Sequence, residues 1–230
     1  MDIDEAIKNR EFRRSLEYQS QLMLREARWA SFGIQLRVTK ELTPSSILEV
    51  GKGNGFYESL CRLMGMEIET LDIDENYNPT YVGNLLDAKI RKKFDLVAAF
   101  QILQHIPLNS LPLAIERLCD LSYSNIIISV PFHSPHYISI SMRYSGVLQK
   151  ILRNTGFKKT LKLSFKRYRN RHYRDTESHQ GTYWELGRDN LKSQYINTIF
   201  ERNNFELKKA FACEEYPYHY YMIFSKLTEK

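Results

Sequence analysis

A short apolar run that leads directly into three closely spaced glycines is the feature of this 230-residue chain that most constrains its fold. The stretch reads ILEVGKGNGF, and three of the chain's 10 glycines fall within five positions, at Gly51, Gly53 and Gly55. Because glycine has no Cβ, a ligand can approach the backbone of such a turn, and a following helix points N–H groups at that ligand. The pattern predicts a strand, a nucleotide-type binding loop and a helix.

Strand-like and helix-like segments alternate beyond this turn. The first 40 residues have apolar positions at roughly helical spacing, and the polar break at 43–46 separates them from the strand at 47–50. Alternation over residues 47–132 is typical of a mainly parallel sheet that helices cover. The pattern predicts helices at 56–65, 111–121 and 189–204, the last with Asp189 as its N-cap, and strands at 66–74, within 92–103, and at 125–132, 205–212 and 220–227.

The composition narrows the setting in which the chain works. Its start, MDIDEAIKNREFRR, has no apolar segment of the kind that a secretory signal needs, and no apolar run approaches the roughly 18 residues of a membrane span. The three cysteines are an odd number without a CxxC pair, which argues against a disulfide framework or a zinc site. We therefore expect a globular protein of the reducing cytoplasm.

The spacing around the glycines discriminates between nucleotide ligands. The dinucleotide fingerprint GxGxxG fails because Phe56 stands at its third glycine, and no Gly-Lys-Ser/Thr follows as in a P-loop. Asp72 lies 21 residues after Gly51 at the end of the second predicted strand, where a carboxylate can accept hydrogen bonds from both hydroxyls of an adenosine ribose. Asp72 as a turn residue or helix cap is the structural alternative, and a ligand-free tight turn is the alternative for the glycines.

Several stretches together resemble the class I S-adenosylmethionine-dependent methyltransferases, in particular their type-11-like group. The resemblance covers residues 45–132 well and 180–230 loosely. Three positions depart from the family pattern: Gln104 replaces the glutamate of a Leu-Glu-His ending, Asn84 stands where an acid is common, and Thr182 stands where that group often has histidine. The stretches are EVGKGNG (49–55), LDID (71–74), GNLLD (83–87), FDLVAAFQILQHIP (94–107), IISVPF (127–132) and TYWELG (182–187).

This resemblance implies a fold, a cofactor and a set of binding residues. The implied fold is one Rossmann-like, doubly wound α/β domain with seven strands, mostly parallel, that ends in an antiparallel β-hairpin. Its implied parts are a helical extension (1–42), a cofactor-binding core (43–132), a basic insertion on the substrate side (133–188) and a C-terminal helix and hairpin (189–230). S-adenosyl-L-methionine is the implied cofactor, and its implied contacts are Glu49, Gly51, Gly53, Gly55, Asp72, Ile73, Leu86, Asp87 and Gln101.

Within that set, each residue has an implied role. The glycines would line the methionine part of the cofactor, Glu49 would approach its amino group through water or organise the loop, and Asp72 would hold the ribose. Ile73 would pack on the adenine, Leu86 and Asp87 would flank its edge, and Gln101 would lie near the sulfonium or the substrate. For Leu86 and Gln101, a plain core or surface role is an equal alternative.

Three histidines follow the fourth and fifth predicted strands and are candidate general bases for an oxygen or amine acceptor. They are His105, His133 and His136. His105 as a packing residue and HSPH (133–136) as a surface loop are the alternatives. His133 and His136 have a spacing that metal ligands also use, but no third ligand is evident, so we expect no metal site.

Charge is concentrated in one part of the chain. Between Arg143 and Arg174 there are 11 basic residues and no acidic ones, whereas the remainder has 22 basic and 27 acidic residues. Aromatic side chains interleave with the cations of KKTLKLSFKRYRNRHYR (158–174), so we name Arg167 and Tyr168, together with Trp184, as candidate substrate contacts. The segment suits an anionic small molecule, nucleic acid or an anionic membrane surface, or it is a solvated lid without a partner.

Three hypotheses for the function follow. The first is a methyltransferase that acts on a small, anionic acceptor such as a sugar, a nucleotide or a lipid-linked metabolite. The second is an RNA methyltransferase that uses the basic segment 158–174. The third is a non-catalytic module that keeps the cofactor pocket and serves as a scaffold. Trp184 either closes the substrate pocket or is an ordinary packing anchor. The sequence leaves the oligomeric state open.

Overall fold

A computed structural model of the chain describes residues 26–133, 137–143, 160–166 and 182–227. Helix α1 spans Glu26–Leu42, so the described end of the predicted N-terminal helical region is helical. The rest of that prediction, residues 1–25, lies outside the described residues. Of the helices that are described, none is long and apolar enough to cross a membrane.

The chain forms one seven-stranded sheet with the order β3-β2-β1-β4-β5-β9-β8. The strands β1 to β5 run parallel to one another, and β9 runs antiparallel to both β5 and β8. This confirms the predicted Rossmann-like sheet with its C-terminal antiparallel hairpin. The strands are β1 (Ile47–Val50), β2 (Ile68–Asp72), β3 (Tyr81–Val82), β4 (Phe94–Phe100), β5 (Ser122–Pro131), β8 (Phe205–Ala212) and β9 (His219–Lys226), and a separate antiparallel pair consists of β6 (Tyr137–Arg143) and β7 (Thr160–Lys166).

Helices cover both faces of the sheet, as the alternating pattern predicts. Helix α1 and helix α2 (Phe56–Leu63) lie on one face, where Val38 and Tyr57 pack with Ile47 of β1. Helix α3 (Leu111–Leu121) and helix α4 (Ser193–Arg202) lie on the other face in the larger apolar cluster. Because β1 and β4 are buried on both sides, their side chains alternate between the two clusters and are apolar with few exceptions.

The strand order reverses at the centre of the sheet, between β1 and β4. In open α/β sheets, ligands bind outside the carboxyl ends of the strands at such a switch point. The glycine turn follows β1 directly, and residues 101–107 follow β4. The fold therefore brings the glycine turn and the segment after β4 to the same edge of the sheet.

The structure corrects the prediction for the last helix. Helix α4 begins at Ser193 with Lys192 at the N-cap position, not with Asp189 as its N-cap. Asp189 and Asn190 have positive φ angles of 47° and 61° and form a turn, a conformation that Asp and Asn tolerate better than most residues. The prediction of Asp189 as a cap is therefore wrong, because the same side-chain chemistry serves a turn.

Helix α1 is joined to the sheet by buried polar groups as well as by apolar packing. The Ser31 hydroxyl lies 2.7 Å from Nδ1 of His219 and 2.6 Å from the Tyr221 hydroxyl. Burial and the nearby Arg28 guanidinium lower the pKa of His219 from its ordinary 6.5 to about 3. A proton on this imidazole therefore opposes the packing of α1 on β9.

Acidification should destabilise the protein through His219. Because the folded state binds this proton less tightly than the unfolded state, the contribution is complete above the ordinary pKa and is lost as the pH falls below it. We expect a loss of about 2 kcal/mol in the free energy of unfolding from about pH 7 to about pH 5. Urea denaturation of wild type and of His219→Gln at both pH values measures this.

The slope with pH, rather than the absolute stability, is the informative quantity. His219→Gln should have a pH dependence that is smaller than that of wild type by this amount. Equal slopes for wild type and His219→Gln would show that His219 does not titrate in this way.

Candidate active site

The glycine turn after β1 has the backbone conformation that the sequence predicts. Gly51, Gly53 and Gly55 have positive φ angles of 81°, 52° and 70°. A Cβ atom on Gly51 would lie 2.0 Å from Cδ1 of Ile102, the second residue after β4. The positive φ favours glycine at this position, and the Ile102 side chain lies directly against the Gly51 backbone.

Asp72, at the end of β2, binds the glycine turn. Its Oδ2 accepts a hydrogen bond from the Gly53 N–H at 2.9 Å, and its Oδ1 accepts one from the Asp74 N–H at 3.0 Å. Asp72 therefore has the role of a turn residue, which was the structural alternative to ribose binding. Since each carboxylate oxygen can accept more than one hydrogen bond, this role leaves acceptor capacity for a ligand.

Glu49, two residues before Gly51, is a buried carboxyl group with an unsatisfied oxygen. Only 5% of its surface is exposed, and Oε2 has no hydrogen-bond partner among the residues that the structure describes. Burial, together with the neighbouring charge of Glu58, raises its pKa well above its ordinary value, and Lys52 opposes this only in part. A carboxyl group in this state gains from a cationic hydrogen-bond donor, so the site fits a ligand that carries an ammonium group.

Lys52 is a site residue that the sequence analysis does not name. Its Nζ donates to the Asn78 carbonyl at 2.7 Å and lies 2.9 Å from Oε2 of Glu58 in α2. The lysine thereby connects the glycine turn to the loop that begins after Asp72, the last residue of β2. The sequence holds no signal for it, since Lys52 occupies a variable position of the glycine motif and its contact depends on the tertiary position of Asn78.

Of the residues expected beside the adenine, some are exposed to solvent and others pack in the protein core. Ile73 directly follows Asp72 and is 71% exposed, which is unusual for an isoleucine and leaves an apolar surface beside the turn. Leu86 is partly buried against the main apolar cluster, so the core role left open for it is present. Asp87 is exposed. Asn84, where the family often has an acid, accepts the Leu86 N–H through its side chain at 3.0 Å, a turn contact that Asp makes equally well.

Gln101 directly follows β4 and has a strained backbone. Its φ is 57°, and its N–H donates to the Ser129 carbonyl of β5 at 2.8 Å. The side-chain amide of the buried Gln104 donates to the Gln101 carbonyl at 2.7 Å. A glutamate at 104 would place a carboxylate against that carbonyl, so this departure from the family pattern suits the local structure. Strained residues of this kind concentrate at ligand sites.

Two of the three candidate bases, His105 and His133, lie at the same edge of the sheet. His105 ends a short 3-10 helix (Leu103–His105) and is exposed, and His133 is partly buried just after β5. The third candidate, His136, lies outside the described residues, as do Arg167 and Tyr168. Within the described ranges, no three His, Cys, Asp or Glu side chains gather as metal ligands do. The role of a base remains a prediction for these histidines.

Residues 183–186 connect the loops that follow β4 and β5. The Tyr183 N–H donates to the Gln104 carbonyl at 2.8 Å, and the Leu186 N–H donates to the Pro131 carbonyl at 2.9 Å. Trp184 is only 7% exposed, and its indole N–H donates to the Ile106 carbonyl at 3.0 Å. Trp184 is thus a packing anchor, one of its two predicted roles, and it fixes the position of the segment against the β4 loop.

Comparison with known proteins identifies the fold. The sequence matches no protein-family model and no curated protein sequence. By structure, the chain is similar to the N-methyltransferase NodS from Bradyrhizobium japonicum WM9, solved with S-adenosyl-L-homocysteine. The TM-score is 0.56 at 11% identity, and the match covers 95% of this chain and 98% of NodS.

Two further solved structures have the same fold. Magnesium protoporphyrin IX methyltransferase from Synechocystis PCC 6803, solved with S-adenosylmethionine, matches with a TM-score of 0.54 and 14% identity over 87% of this chain and 81% of that one. The 1,6-didemethyltoxoflavin-N1-methyltransferase from Burkholderia thailandensis matches with a TM-score of 0.54 and 11% identity over 98% and 89%. The chain therefore has the Rossmann-like fold of the class I methyltransferases.

Removal of the Glu49 charge should stabilise the protein when no ligand is added. Because its pKa is raised in the folded state, ionisation of Glu49 destabilises that state as the pH rises through the ordinary value. Glu49→Gln should raise the free energy of unfolding by at least about 1 kcal/mol at about pH 8 and should flatten its pH dependence. Chemical denaturation measures both effects.

Glu58→Gln is the matched control in the same cluster. Although partial burial opposes the effect, hydrogen bonds and charge from Lys52 and Arg62 lower the pKa of Glu58, so this variant should be less stable than wild type. Destabilisation by both substitutions would contradict the account of Glu49.

Proposed function

We propose that this chain is an S-adenosylmethionine-dependent methyltransferase that acts on a small, anionic acceptor. The observation that carries the proposal is the combination at the end of β1 of three glycines with positive φ and the buried Glu49, whose Oε2 has no partner within the described part of the chain. Glycines without Cβ atoms let a ligand approach the backbone of the turn, and the carboxyl group suits an ammonium group on that ligand.

The residues around the turn fit the three parts of this cofactor. Glu49 would accept a hydrogen bond from the α-ammonium group, directly or through water. Asp72 would use its remaining acceptor capacity for the ribose hydroxyls, while it continues to hold Gly53. Ile73 would cover the adenine with the apolar surface that it exposes to solvent in the structure.

Methyl transfer from this cofactor needs no covalent bond between the protein and either reactant. When bound, S-adenosylmethionine would supply an activated methyl group: a nucleophilic oxygen or nitrogen of the acceptor bonds to the methyl carbon as the carbon–sulfur bond breaks, and the neutral thioether S-adenosylhomocysteine leaves. The residues of this chain orient the acceptor and exclude water, and Gln101 would do so from the end of β4. An acceptor that carries a proton would pass it to His105 or His133.

The solved structures with this fold support the choice of cofactor. The structures of NodS and of the Burkholderia thailandensis enzyme contain S-adenosylhomocysteine, and that of the Synechocystis enzyme contains S-adenosylmethionine. The Burkholderia thailandensis enzyme also holds its acceptor, 1,6-didemethyltoxoflavin, which is a small molecule. We extend this cofactor, and a small-molecule acceptor, to the present chain.

Calorimetric titration of the full chain with S-adenosylmethionine, S-adenosylhomocysteine and NAD tests the cofactor. We expect dissociation constants on the order of micromolar for the first two, about −8 kcal/mol, and no detectable binding of NAD. Binding of NAD alone, or of none of the three, would contradict the proposal. Binding without methyl transfer to any of a broad panel of acceptors would instead favour the scaffold hypothesis.

Asp72→Ala should weaken S-adenosylmethionine binding by about tenfold or more, which is at least about 1.4 kcal/mol, because a charge-assisted hydrogen bond to the ribose is lost. Asp74→Ala is the matched control, since it removes the same charge two residues away and only a local contact to Asn76. The control should stay within about twofold of wild type. Unchanged affinity in Asp72→Ala would show that Asp72 serves only the turn.

Glu49→Gln distinguishes the contribution of this residue to ligand binding from its effect on the free energy of unfolding. The variant that is more stable without ligand should bind S-adenosylmethionine about tenfold more weakly, because the ammonium group loses its anionic partner. A variant with higher stability and unchanged affinity would place the ammonium group elsewhere.

A further inference from the structure

A cleft lies beside the start of α4. Its volume is about 470 Å³, and it is lined by residues of the segment 183–185, the turn 188–191, the first turn of α4, and Leu108. It includes neither the glycine turn nor Asp72 nor Gln101. The cleft is therefore separate from the expected cofactor site, although the same β4 loop borders both.

Aromatic side chains form much of this cleft. Tyr183 is 62% exposed and Tyr195 is 41% exposed, and they line it together with the buried Trp184. Leu108 adds an exposed aliphatic side chain. Large apolar side chains that gather around a concave surface, rimmed by polar residues, mark a ligand site more often than a plain surface. Their flat faces suit a planar ring.

The lining of the cleft includes two cations and two carboxylates. Arg188 and Lys192 line the cleft at the turn and at the N-cap of α4, and the first turn of α4 carries no acidic residue. Of the two acidic residues in the lining, Asp189 has a side chain that is 92% exposed and lies 3.7 Å from Arg188 Nε, whereas Glu185 is buried. The positive end of the helix adds to the two cations.

The wall of the cleft is attached to the loop that leaves β4. Trp184 donates its indole N–H to the Ile106 carbonyl, and Tyr183 donates its backbone N–H to the Gln104 carbonyl. This loop begins at Gln101, which the proposed function places near the transferred methyl group. A ligand in the cleft would therefore lie beside the residues that receive the acceptor.

We propose that this cleft recognises the acceptor through a planar aromatic ring that carries an anionic group. The ring would lie among Tyr183, Trp184 and Tyr195, and the anion would lie at Arg188 and Lys192. The inference rests on the proposed function for the identity of the ligand as acceptor. Among the acceptor classes considered, it favours a nucleotide-like or aromatic acid acceptor over a sugar or a lipid-linked one.

Phenyl phosphate is the probe, because it combines a planar ring with an anion and nothing else. The chain has two tryptophans, so its indole N–H signals in an ¹H–¹⁵N spectrum are few, and Trp29→Phe assigns that of Trp184. Phenyl phosphate should shift the Trp184 signal saturably. Cyclohexyl phosphate, which lacks the flat ring, and benzyl alcohol, which lacks the charge, should each bind at least about fivefold more weakly.

Matched variants locate the binding. Tyr195→Ala and Arg188→Gln should each weaken phenyl phosphate binding by about tenfold. Tyr123→Ala removes a similarly exposed tyrosine and Arg117→Gln a surface arginine, and both lie outside the cleft. These two controls should stay within about twofold of wild type. No saturable shift of Trp184, or equal effects in variants and controls, would overturn the proposal.

A parallel titration of the same samples with S-adenosylhomocysteine separates this proposal from the proposed function. Binding of S-adenosylhomocysteine without binding of phenyl phosphate would overturn only the cleft as the acceptor site. Displacement of phenyl phosphate by S-adenosylhomocysteine would overturn it as well, because the probe would then occupy the cofactor site. Independent binding of both would support the cleft as a separate site.

Discussion

The contact between the Asp72 carboxylate and the Gly53 N–H is the interaction on which the candidate site depends. It joins the turn after β1 to the end of β2, at 2.9 Å, while the second carboxylate oxygen holds the Asp74 N–H. Lys52 adds a second connection between the same two loops through the Asn78 carbonyl. With both loops fixed, a ligand that bridges the turn and the exposed Ile73 does not have to order either loop when it binds.

Next to this contact, Glu49 places a buried carboxyl group where a purely structural role does not require one. A buried carboxyl group without a partner for Oε2 among the described residues costs stability at neutral pH, and an amide or apolar residue would avoid that cost at Glu49. Buried groups of this kind, with a raised pKa, concentrate at binding sites. Without ligand, the unpartnered carboxylate of Glu49 lowers the stability of the folded protein. An ammonium group bound at Glu49 would offset that loss.

The parts of the fold that the sequence predicts are those specified by local pattern. Helix α3 spans the predicted residues 111–121, and the turn at 51–55 has the conformation that its glycines indicate. Strand β3 is only two residues long, too short for any periodicity, and Asp189 has the chemistry of both a cap and a turn. The role of Lys52 and the cleft beside α4 depend on contacts between distant segments, which no local pattern encodes.

Trp184 shows why the acceptor side is harder to derive from sequence than the cofactor side. The same indole packs in the main apolar cluster, donates to the Ile106 carbonyl and lines the cleft, so the two roles that its sequence context left open are not exclusive. Because core packing and the hydrogen bond to Ile106 hold this side chain, Trp184 would not have to move when a flat ring binds. Tyr183 and Tyr195 would then select among such rings. Because both side chains are exposed, they can be substituted without disturbing the packing of the core.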